Sequence, residues 1–350
     1  MIGMQICRVE IYEIIEKVIA GQELTAEDLQ ALYSVNPYAR EAYYIRWAAH
    51  QTAMKASKGK AVIYMQIGLD ASPCFRNCKF CSFAACNGTR KSRSELPVAK
   101  VVEYAKRAVD DGANAILLLT TAAYEFEKLL EVTNRLHEAL GEEMPLHVGT
   151  DDYSVEQALA MKRTGVNGVY HSIRMGEGID TTISVDTRVA TIQNAHKAGL
   201  KHYTCLEPIG PEHGAEELAE KTLLSLNLNP VFGGAYRRVA VNGELACRGS
   251  LDDPHWSLYA AVYRLASGLK RPYSMSAFSV SLATSGANMC CTEVGPSPCD
   301  DGDLIENGDV GLNVKDALKI FGETGWEVVK GPAKEWGEEY KEENLQFSGR

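Results

Sequence analysis

Residues 62–84 read VIYMQIGLDASPCFRNCKFCSFA, an apolar run followed by a short polar loop that contains three cysteines. The run at 62–69 is rich in β-branched and aromatic residues and has the length of a strand. The loop spaces its cysteines as Cys-x3-Cys-x2-Cys, with Cys74, Cys78 and Cys81 at the three positions. A buried strand that leads into such a loop predicts a parallel sheet with its chemistry at the strand end.

Further apolar runs follow along the chain, and amphipathic segments separate them. The expected strands are 62–69, 115–121, 146–150, 168–173, 202–206, 235–241, 273–277 and 289–294. The expected helices are 96–110, 125–140, 155–163, 188–198, 215–226, 256–267, 280–284 and 314–321. This alternation predicts an α/β fold, a (β/α)8 barrel of the TIM type. An open doubly wound sheet is the alternative, but no glycine-rich phosphate turn follows the first strand.

The 350-residue chain divides into three expected parts. Residues 1–58 are expected to form a helical lead-in, residues 59–329 the barrel, and residues 330–350 a charged tail. The net charge of −10 gives no reason to expect nucleic acid or an anionic membrane as a partner. The N-terminal segment shows no signal-peptide pattern, so we expect a cytoplasmic protein whose ten cysteines are reduced or bind metal.

Three thiolates this close in sequence can hold one iron–sulfur cubane, because thiolate is the usual ligand of such clusters. No fourth cysteine follows at ferredoxin spacing, and Cys86 precedes Asn87-Gly88, which indicates a turn away from the loop. Three ligands leave one iron open, which a catalytic centre needs. A zinc site would need a fourth Cys or His nearby, whereas His171 and His202 are remote in sequence. Buried structural thiols are the remaining alternative, although a polar loop fits them poorly.

The cysteine loop resembles the signature of the radical S-adenosylmethionine (radical SAM) superfamily. The resemblance implies that Cys74, Cys78 and Cys81 hold a 4Fe–4S cluster whose open iron chelates SAM. One electron would then release methionine and a 5′-deoxyadenosyl radical. The resemblance also implies an oxygen-poor environment, a reductant such as ferredoxin or flavodoxin, and packing of Phe80 near the adenine. We expect a small-molecule substrate in the barrel cavity.

Residues 61–322 resemble the branch that contains biotin synthase, the radical maturase of iron-only hydrogenase and methylornithine synthase. This branch has an eight-stranded barrel with a helical lead-in. Its SAM-binding carboxylate and arginine match Glu177 and Arg188, with Arg174 as a second candidate for either role. On spacing alone, both charges are equally well interpreted as loop-surface residues. By the same resemblance, Thr120 and Thr121 hydrogen-bond the methionine amino group.

Several other polar residues stand at expected strand ends. Glu207 ends a strand inside an apolar stretch and is predicted to contact the cofactor, because a buried carboxylate needs a partner. Asp151 and Asp152 end the third strand, where they would face a substrate or a ribose; Asp152 is alternatively a cap for the helix near Ser154. The remaining polar residues on strands are interpreted as core residues: His147, Tyr170 and His171.

A second cluster is a separate question. Biotin synthase holds a sulfur-donating cluster, and the matching places here are Leu119, His147, Tyr203 and Ser274, so biotin synthesis with that cluster is not expected. The candidates for an auxiliary metal or cluster are Cys205, Cys291 and Cys299, with buried thiols as the simpler interpretation. Adjacent strand residues point to opposite sides, so only one of Cys290 and Cys291 can face the interior.

The sequence thus predicts a radical SAM enzyme that abstracts hydrogen from a small molecule and then rearranges it, cleaves it or inserts sulfur. Sulfur insertion of the biotin or lipoate type is preferred if a second cluster is present. An iron–sulfur scaffold or electron carrier is a rival, but it needs no organic-ligand site at the strand ends. A zinc-stabilised barrel enzyme is the other rival.

Overall fold

A computed structural model describes residues 9–239, 243, 245–295 and 312–333. Its strands are β1 (Lys60–Gly68), β2 (Ala115–Leu119), β3 (Leu146–Gly149), β4 (Gly168–Tyr170), β5 (Lys201–Ile209), β6 (Phe232–Arg237), β7 (Met289–Val294) and β8 (Glu327–Val328). Neighbouring strands pair in parallel in the order β6-β5-β4-β3-β2-β1-β7. β8 pairs with the first residues of β1. The predicted α/β fold, with parallel strands and helices in a TIM-type arrangement, is therefore confirmed, and the parallel sheet is curled.

Helices occupy the segments between the strands. They are α1 (Val9–Ile19), α2 (Ala26–Tyr33), α3 (Arg40–Ser57), α4 (Val98–Asp111), α5 (Phe126–Leu140), α6 (Val155–Arg163), α7 (Val185–Lys197), α8 (Ala215–Asn227), α9 (Asp253–Ser267), α10 (Val280–Ala283) and α11 (Val314–Glu323). The segment before α7 supplies its N-cap, Ser184, whose hydroxyl accepts from the backbone N–H of Thr187. This cap starts the helix before the predicted position 188, so Arg188 lies in its first turn.

The segment at 273–277 closes the ring between β6 and β7. Ser274 forms a parallel bridge with Gly233, and its carbonyl accepts from the backbone N–H of Met289 at 3.0 Å. The side-chain amide of Asn288 replaces one backbone acceptor of the sheet, because its Oδ1 accepts from the N–H of Ser274 at 2.8 Å. The prediction of a regular strand here is wrong, since Ser276 has a left-handed φ of 85° that interrupts the extended backbone.

The sixth strand begins earlier than the predicted 235–241, at Phe232. The error comes from Gly233 and Gly234, which resemble a turn in sequence but lie inside the strand. A Cβ on Gly233 would lie 2.3 Å from the hydroxyl of Tyr263, and one on Gly234 would lie 2.8 Å from the Cβ of Met275. Close packing of α9 on β6 therefore requires Gly233, and the close approach of the 273–277 segment requires Gly234. Positions 240 and 241 lie outside the described residues.

Aromatic side chains fill the interior of the barrel. Tyr203 stacks on Phe232 with ring centroids 4.6 Å apart, and His147 lies between Tyr64 and Tyr203 at 5.3 and 5.0 Å. Cys291 packs in this interior cluster, whereas Cys290 packs on the outer face against the helices. The expected alternation of the two cysteines is confirmed. The core interpretation of His147 agrees with its complete burial.

The helices α1 to α3 lie against α8 and α9. Tyr33 and Thr222 share a buried hydrogen bond of 2.8 Å, and the Nε of Arg46 donates to Ser257 at 3.0 Å. At the other end, Ala333 is buried and its N–H donates to the carbonyl of Asn114. Residues 334–350 of the expected tail lie outside the described residues, as do 296–311. Every helix in the described ranges falls short of the length and apolar character that a bilayer crossing requires.

Candidate functional site

The cysteine loop follows β1 and is folded back on itself by backbone hydrogen bonds. The N–H of Cys74 donates to the carbonyl of Phe83 at 2.6 Å, and the N–H of Cys81 donates to the carbonyl of Cys78 at 2.9 Å. Asn77 adopts a left-handed φ of 50°, a conformation that asparagine tolerates better than most residues. The loop therefore has a defined shape that presents its three thiols from one turn.

Each loop thiol is partly buried, and burial raises the pKa of all three, to about 12 for Cys78 and about 11 for Cys81. A charge on Cys81 raises the pKa of Cys78 further, and a charge on Cys74 acts in the same way on Cys81. Three thiols within one short loop fit the donor set of an iron–sulfur cluster. Because they are protonated at neutral pH, cluster assembly must release protons.

The same trio does not form a ready site for one ion. Within the described ranges, no three Cys, His, Asp or Glu side chains are arranged to hold a single metal ion. Tetrahedral zinc would draw its sulfur ligands to about 3.8 Å from one another. A cubane instead binds each thiolate at a different iron and needs the sulfur atoms further apart. Zinc and a cubane therefore require different separations of the three sulfur atoms.

A buried carboxylate fixes the start of the loop. Asp70 is completely buried. Its Oδ1 accepts from the N–H of Thr121 at 2.8 Å. Its Oδ2 accepts from the Thr121 hydroxyl at 2.6 Å and from the N–H of Ser72 at 3.2 Å. Thr120 instead shares a hydrogen bond of 2.8 Å with Thr150. The contact of either threonine with the methionine amino group stays a prediction, as does the packing of the partly buried Phe80 on adenine.

A bidentate ion pair fixes the middle of the loop. The Nε of Arg76 lies 2.8 Å from Oδ1 of Asp151, and its Nη2 lies 2.7 Å from Oδ2. The Thr182 hydroxyl donates to the Arg76 carbonyl at 3.0 Å, and the N–H of Lys79 donates to the carbonyl of Asp180 at 2.9 Å. Asp151 thus binds the loop that carries the thiols.

Arg188 is held by two carboxylates. Its Nε lies 3.1 Å from Oε2 of Glu177, and its Nη1 lies 3.2 Å from Oδ1 of Asp152. The Glu177 side chain is fully buried, and it also accepts from the Thr181 hydroxyl at 2.6 Å and from the N–H of Arg174 at 3.0 Å. Neither Glu177 nor Arg188 is a loop-surface charge. Their contact with SAM stays a prediction.

Asp152 connects this pair to its surroundings. Its Oδ1 also lies 3.1 Å from Nε2 of the buried His171 and accepts from the Thr191 hydroxyl at 2.9 Å, while its Oδ2 lies 3.7 Å from Nη2 of Arg76. Burial opposes ionisation, but the hydrogen bond from His171 and the charge of Arg188 outweigh it and hold the pKa of Asp152 well below its usual range. The alternative of Asp152 as a helix cap is wrong, because Ser154 itself caps α6.

Arg174 and Glu207 form a second ion pair close to the thiols. Glu207 is buried, pairs with Nη1 of Arg174, and accepts from the hydroxyl of Tyr170. The charge of Arg174 lowers the pKa of Cys78, Cys81 and Cys205 against the stronger effect of burial. Arg174 therefore places a positive charge beside the loop, where an anionic group of a ligand would be attracted. Direct contact of Glu207 with a cofactor stays a prediction.

The candidate auxiliary cysteines divide between described and undescribed residues. Cys205 and Cys291 are buried and line one small cavity of about 30 Å³ with Glu207. Cys205 lies 3.5 Å from the sulfur of Met275, and burial raises its pKa to about 12. Cys299 lies outside the described residues. Two thiols do not make a cluster site by themselves.

Sequence reasoning missed Asp70 and Arg76, which fix the loop, and treated Tyr170 and His171 as core residues only. Both are buried as expected, but each also contacts a carboxylate of the site. The available signal was their position, because all four residues follow or end a parallel strand at its carboxyl end. Contacts of these four residues join positions 19 to 75 residues apart, such as His171 with Asp152 and Arg76 with Asp151, and no local pattern encodes them.

Comparison with known proteins gives a family and a set of relatives. The profile of the radical SAM superfamily matches residues 72–222. Biotin synthase of Desulforudis audaxviator is 28% identical over 200 residues, which cover 55% of this chain and 60% of that protein. Biotin synthase of Neorickettsia sennetsu is 32% identical over 149 residues, 39% of this chain and 44% of that protein. The chain therefore matches about 60% of the length of the first of these relatives.

Solved structures share the fold at low identity. The crystal structure of methylornithine synthase (PylB) superposes with a TM-score of 0.73 at 18% identity, covering 91% of this chain and 97% of that one. HydG, a maturase of the [FeFe]-hydrogenase, superposes with a TM-score of 0.75 at 13% identity, covering 91% of this chain and 76% of that one. These superpositions show the fold. The resemblance to the radical SAM superfamily and to biotin synthase that the sequence predicts is confirmed by the profile match and by the biotin synthase relatives.

Proposed function

We propose that this chain, whose residues 72–222 match the profile of the radical SAM superfamily, reductively cleaves SAM at a 4Fe–4S cluster held by Cys74, Cys78 and Cys81. The cluster, when bound, supplies the electron that cleaves the sulfonium and yields a 5′-deoxyadenosyl radical. That radical would abstract hydrogen from a small molecule. A one-electron donor such as ferredoxin or flavodoxin, and an oxygen-poor cytoplasm, belong to the same proposal.

One observation carries this proposal: two arginine–carboxylate pairs lie beside the loop that carries the three thiols. Arg188 binds Asp152 at 3.2 Å, and Asp152 lies 3.7 Å from Arg76 of the loop. The backbone N–H of Arg174 donates to Glu177, the carboxylate that also binds Arg188, and the charge of Arg174 lowers the pKa of Cys78. A guanidinium suits the methionine carboxylate, and a carboxylate suits hydroxyl donors of a ribose. A mere electron carrier would not need buried, oriented charges beside its ligands.

Sulfur insertion with a second cluster is less well supported. The kinship with biotin synthases favours it, but the places that match its second cluster hold Leu119, His147, Tyr203 and Ser274. His147 and Tyr203 are completely buried in an aromatic cluster, and neither side chain supplies a thiolate. Hydrogen abstraction followed by rearrangement or cleavage is therefore the better proposal.

The test is anaerobic reconstitution with iron and sulfide, followed by dithionite and SAM. We expect about four irons per chain and release of 5′-deoxyadenosine and methionine. An electron carrier would bind iron and release no nucleoside. A zinc protein would remain colourless and retain zinc instead of iron.

Two variants make the assignment specific. Cys78→Ala should lose both iron and SAM cleavage, because a cubane with two protein thiolates is poorly held. Cys86→Ser is the matched control, since Cys86 is exposed five residues after the trio and its sulfur lies 3.9 Å from the Asn77 carbonyl. Full iron and full cleavage in Cys78→Ala, or loss of both in Cys86→Ser, would contradict the ligand assignment.

A further inference from the structure

Lys79 stands between the second and third cysteines of the loop, and both of its backbone groups are held. Its N–H donates to the carbonyl of Asp180 at 2.9 Å, and its carbonyl accepts from Nδ2 of Asn87 at 3.0 Å. The same Nδ2 donates to the carbonyl of Cys81 at 2.9 Å. The course of the chain between Cys78 and Cys81 is therefore set by Asp180 and Asn87.

Asp180 is also contacted by the connection between β6 and α9. Arg248, in this connection, places its Nη1 3.3 Å from Oδ2 of Asp180 and 3.6 Å from Oε1 of Glu212. The Asp180 side chain is only 7% exposed, and its Oδ1 lies 3.9 Å from Nζ of Lys79. Because a nearly buried carboxylate needs charged partners, Arg248 helps to hold Asp180 in place.

The backbone next to Arg248 is itself fixed at the end of β6. Arg238, the residue after β6, is buried and donates through Nε and Nη2 to the carbonyl of Gly249 at 3.0 and 2.7 Å. Both of its Nη atoms also bind the carboxylate of Glu212. One buried guanidinium therefore holds the residue that follows Arg248 and the second carboxylate that Arg248 contacts.

The same connection contacts Asn87, the other residue that holds Lys79. A Cβ on Gly243 would lie 2.2 Å from Oδ1 of Asn87, so the backbone at Gly243 packs directly on that side chain. Gly243 also has a φ of 147°, which residues with a side chain rarely adopt. The β6–α9 connection therefore contacts both residues that hold Lys79.

We propose that Arg248 is a positioning residue for the cysteine loop and acts through Asp180. By fixing Asp180 it fixes the backbone of Lys79, and with it the thiols of Cys78 and Cys81 on either side. The inference rests on the proposed function only in that these thiols are the ones proposed to bind the cluster. Ligands that are held in position before the cluster arrives form a better-defined site than ligands on a loose loop.

The test measures how fast iodoacetamide alkylates each thiol of the reduced, metal-free protein, with the sites read by mass spectrometry. Cys78 and Cys81 are partly buried, so their alkylation should respond to loosening of the loop. We expect Arg248→Gln to speed alkylation of both thiols about 3- to 5-fold, the effect of losing one partly exposed ion pair on a local equilibrium. Cys290, which packs in the core against the helices, should react at an unchanged rate.

Three further variants assign the effect to the pair of Arg248 and Asp180. Arg248→Lys keeps a cation beside Asp180 and should keep most of the wild-type protection. The double variant Asp180→Asn/Arg248→Gln should react no faster than Asp180→Asn alone, because both substitutions break the same contact. Lys60→Gln is the matched control: it removes another partly exposed ion pair, with Glu327, at the start of β1, and should leave the rates unchanged.

Three outcomes contradict the inference. Equal alkylation rates in Arg248→Gln and in the wild type overturn it. An equal rise at Cys290 overturns it as well, because that would report lower global stability instead of a change in the loop. Additive effects of the substitutions at Asp180 and Arg248 overturn the route through Asp180.

The inference and the proposed function fail separately. If the thiols respond as expected but the reconstituted protein releases no 5′-deoxyadenosine, only the proposed chemistry is wrong. If the protein binds iron and cleaves SAM while the alkylation rates of Arg248→Gln match those of the wild type, only the positioning role of Arg248 is wrong.

Discussion

Replacing Asp152 by asparagine tests whether the charged network of the site is held together by one carboxylate. Oδ1 of Asp152 receives Arg188 at 3.2 Å, His171 at 3.1 Å and Thr191 at 2.9 Å. Asparagine keeps a carbonyl acceptor but loses the charge, and its amino group would face the guanidinium of Arg76, which lies 3.7 Å from Oδ2. Removing one partner of a largely buried charge network costs about 2–4 kcal/mol, so we expect Asp152→Asn to lower the free energy of unfolding by that amount at pH 7.

The stability contribution of Asp152 should also depend on pH in a definite direction. The pKa of Asp152 is lowered in the folded protein, so its contribution to stability is complete above the unfolded pKa of about 4 and is lost as the pH falls toward the folded value. The difference between wild type and Asp152→Asn should therefore be constant from pH 5 to 7 and shrink below about pH 4. The measurement is urea unfolding of the reduced, metal-free protein followed by circular dichroism.

Asp186→Asn is the control for this series. Asp186 is exposed in the first turn of α7, the helix that carries Arg188. A carboxylate at such a position contributes less than about 1 kcal/mol to stability through the helix dipole. Equally small decreases in the free energy of unfolding in Asp152→Asn and Asp186→Asn would refute the view of Asp152 as the central acceptor. A stability difference between wild type and Asp152→Asn that grows as the pH falls would refute it as well.

Three further changes address the loop and the second ion pair. Arg76→Ala removes the bidentate contact with the partly exposed Asp151, so it should cost only about 1 kcal/mol in urea unfolding but reduce iron content on reconstitution; unchanged iron content would contradict the anchoring role. Asp70→Ala leaves the buried N–H of Thr121 without its acceptor and should cost about 2–4 kcal/mol, and a loss below about 0.5 kcal/mol would be inconsistent with that burial. Arg174→Gln should raise the KM for SAM at least about 10-fold in the 5′-deoxyadenosine assay, and an unchanged KM would remove Arg174 from the SAM site.

The barrel was largely predictable because the strands of a parallel sheet are buried on both faces and therefore consist of nearly continuous apolar residues. Val155–Arg163 is a helix with the predicted bounds, since Ser154 supplies a capping box that is visible locally. The error at Gly233 and Gly234 has the opposite cause. Those glycines leave room for Tyr263 and Met275, which belong to other segments of the chain. No local sequence pattern indicates these contacts.

The site was predictable only as a set of positions. The family resemblance singled out Glu177 and Arg188, strand-end location singled out Glu207, and all three are buried within charged pairs. Which charge pairs with which could not be predicted, because a carboxylate such as Asp152 has the same local signature as a helix cap or as an ion-pair partner. Asp152 is an ion-pair partner because Arg188 and His171, from other segments of the chain, contact its carboxylate.

The anchoring of the cysteine loop explains why the fold matters for its chemistry. A loop of this length has few apolar contacts with which to hold three thiols, so its position depends on polar contacts at separate points. Asp70 ties its start to Thr121 after β2, Arg76 ties its middle to Asp151 after β3, and Lys79 ties its end to Asp180 after β4. Because parallel strands bring their carboxyl ends to one rim, a single loop can reach three successive connections. Arg188 and Asp152 belong to the same rim, so the contacts that fix the loop also fix the arginine proposed to bind SAM, and their relative position is set by the barrel rather than by the loop alone.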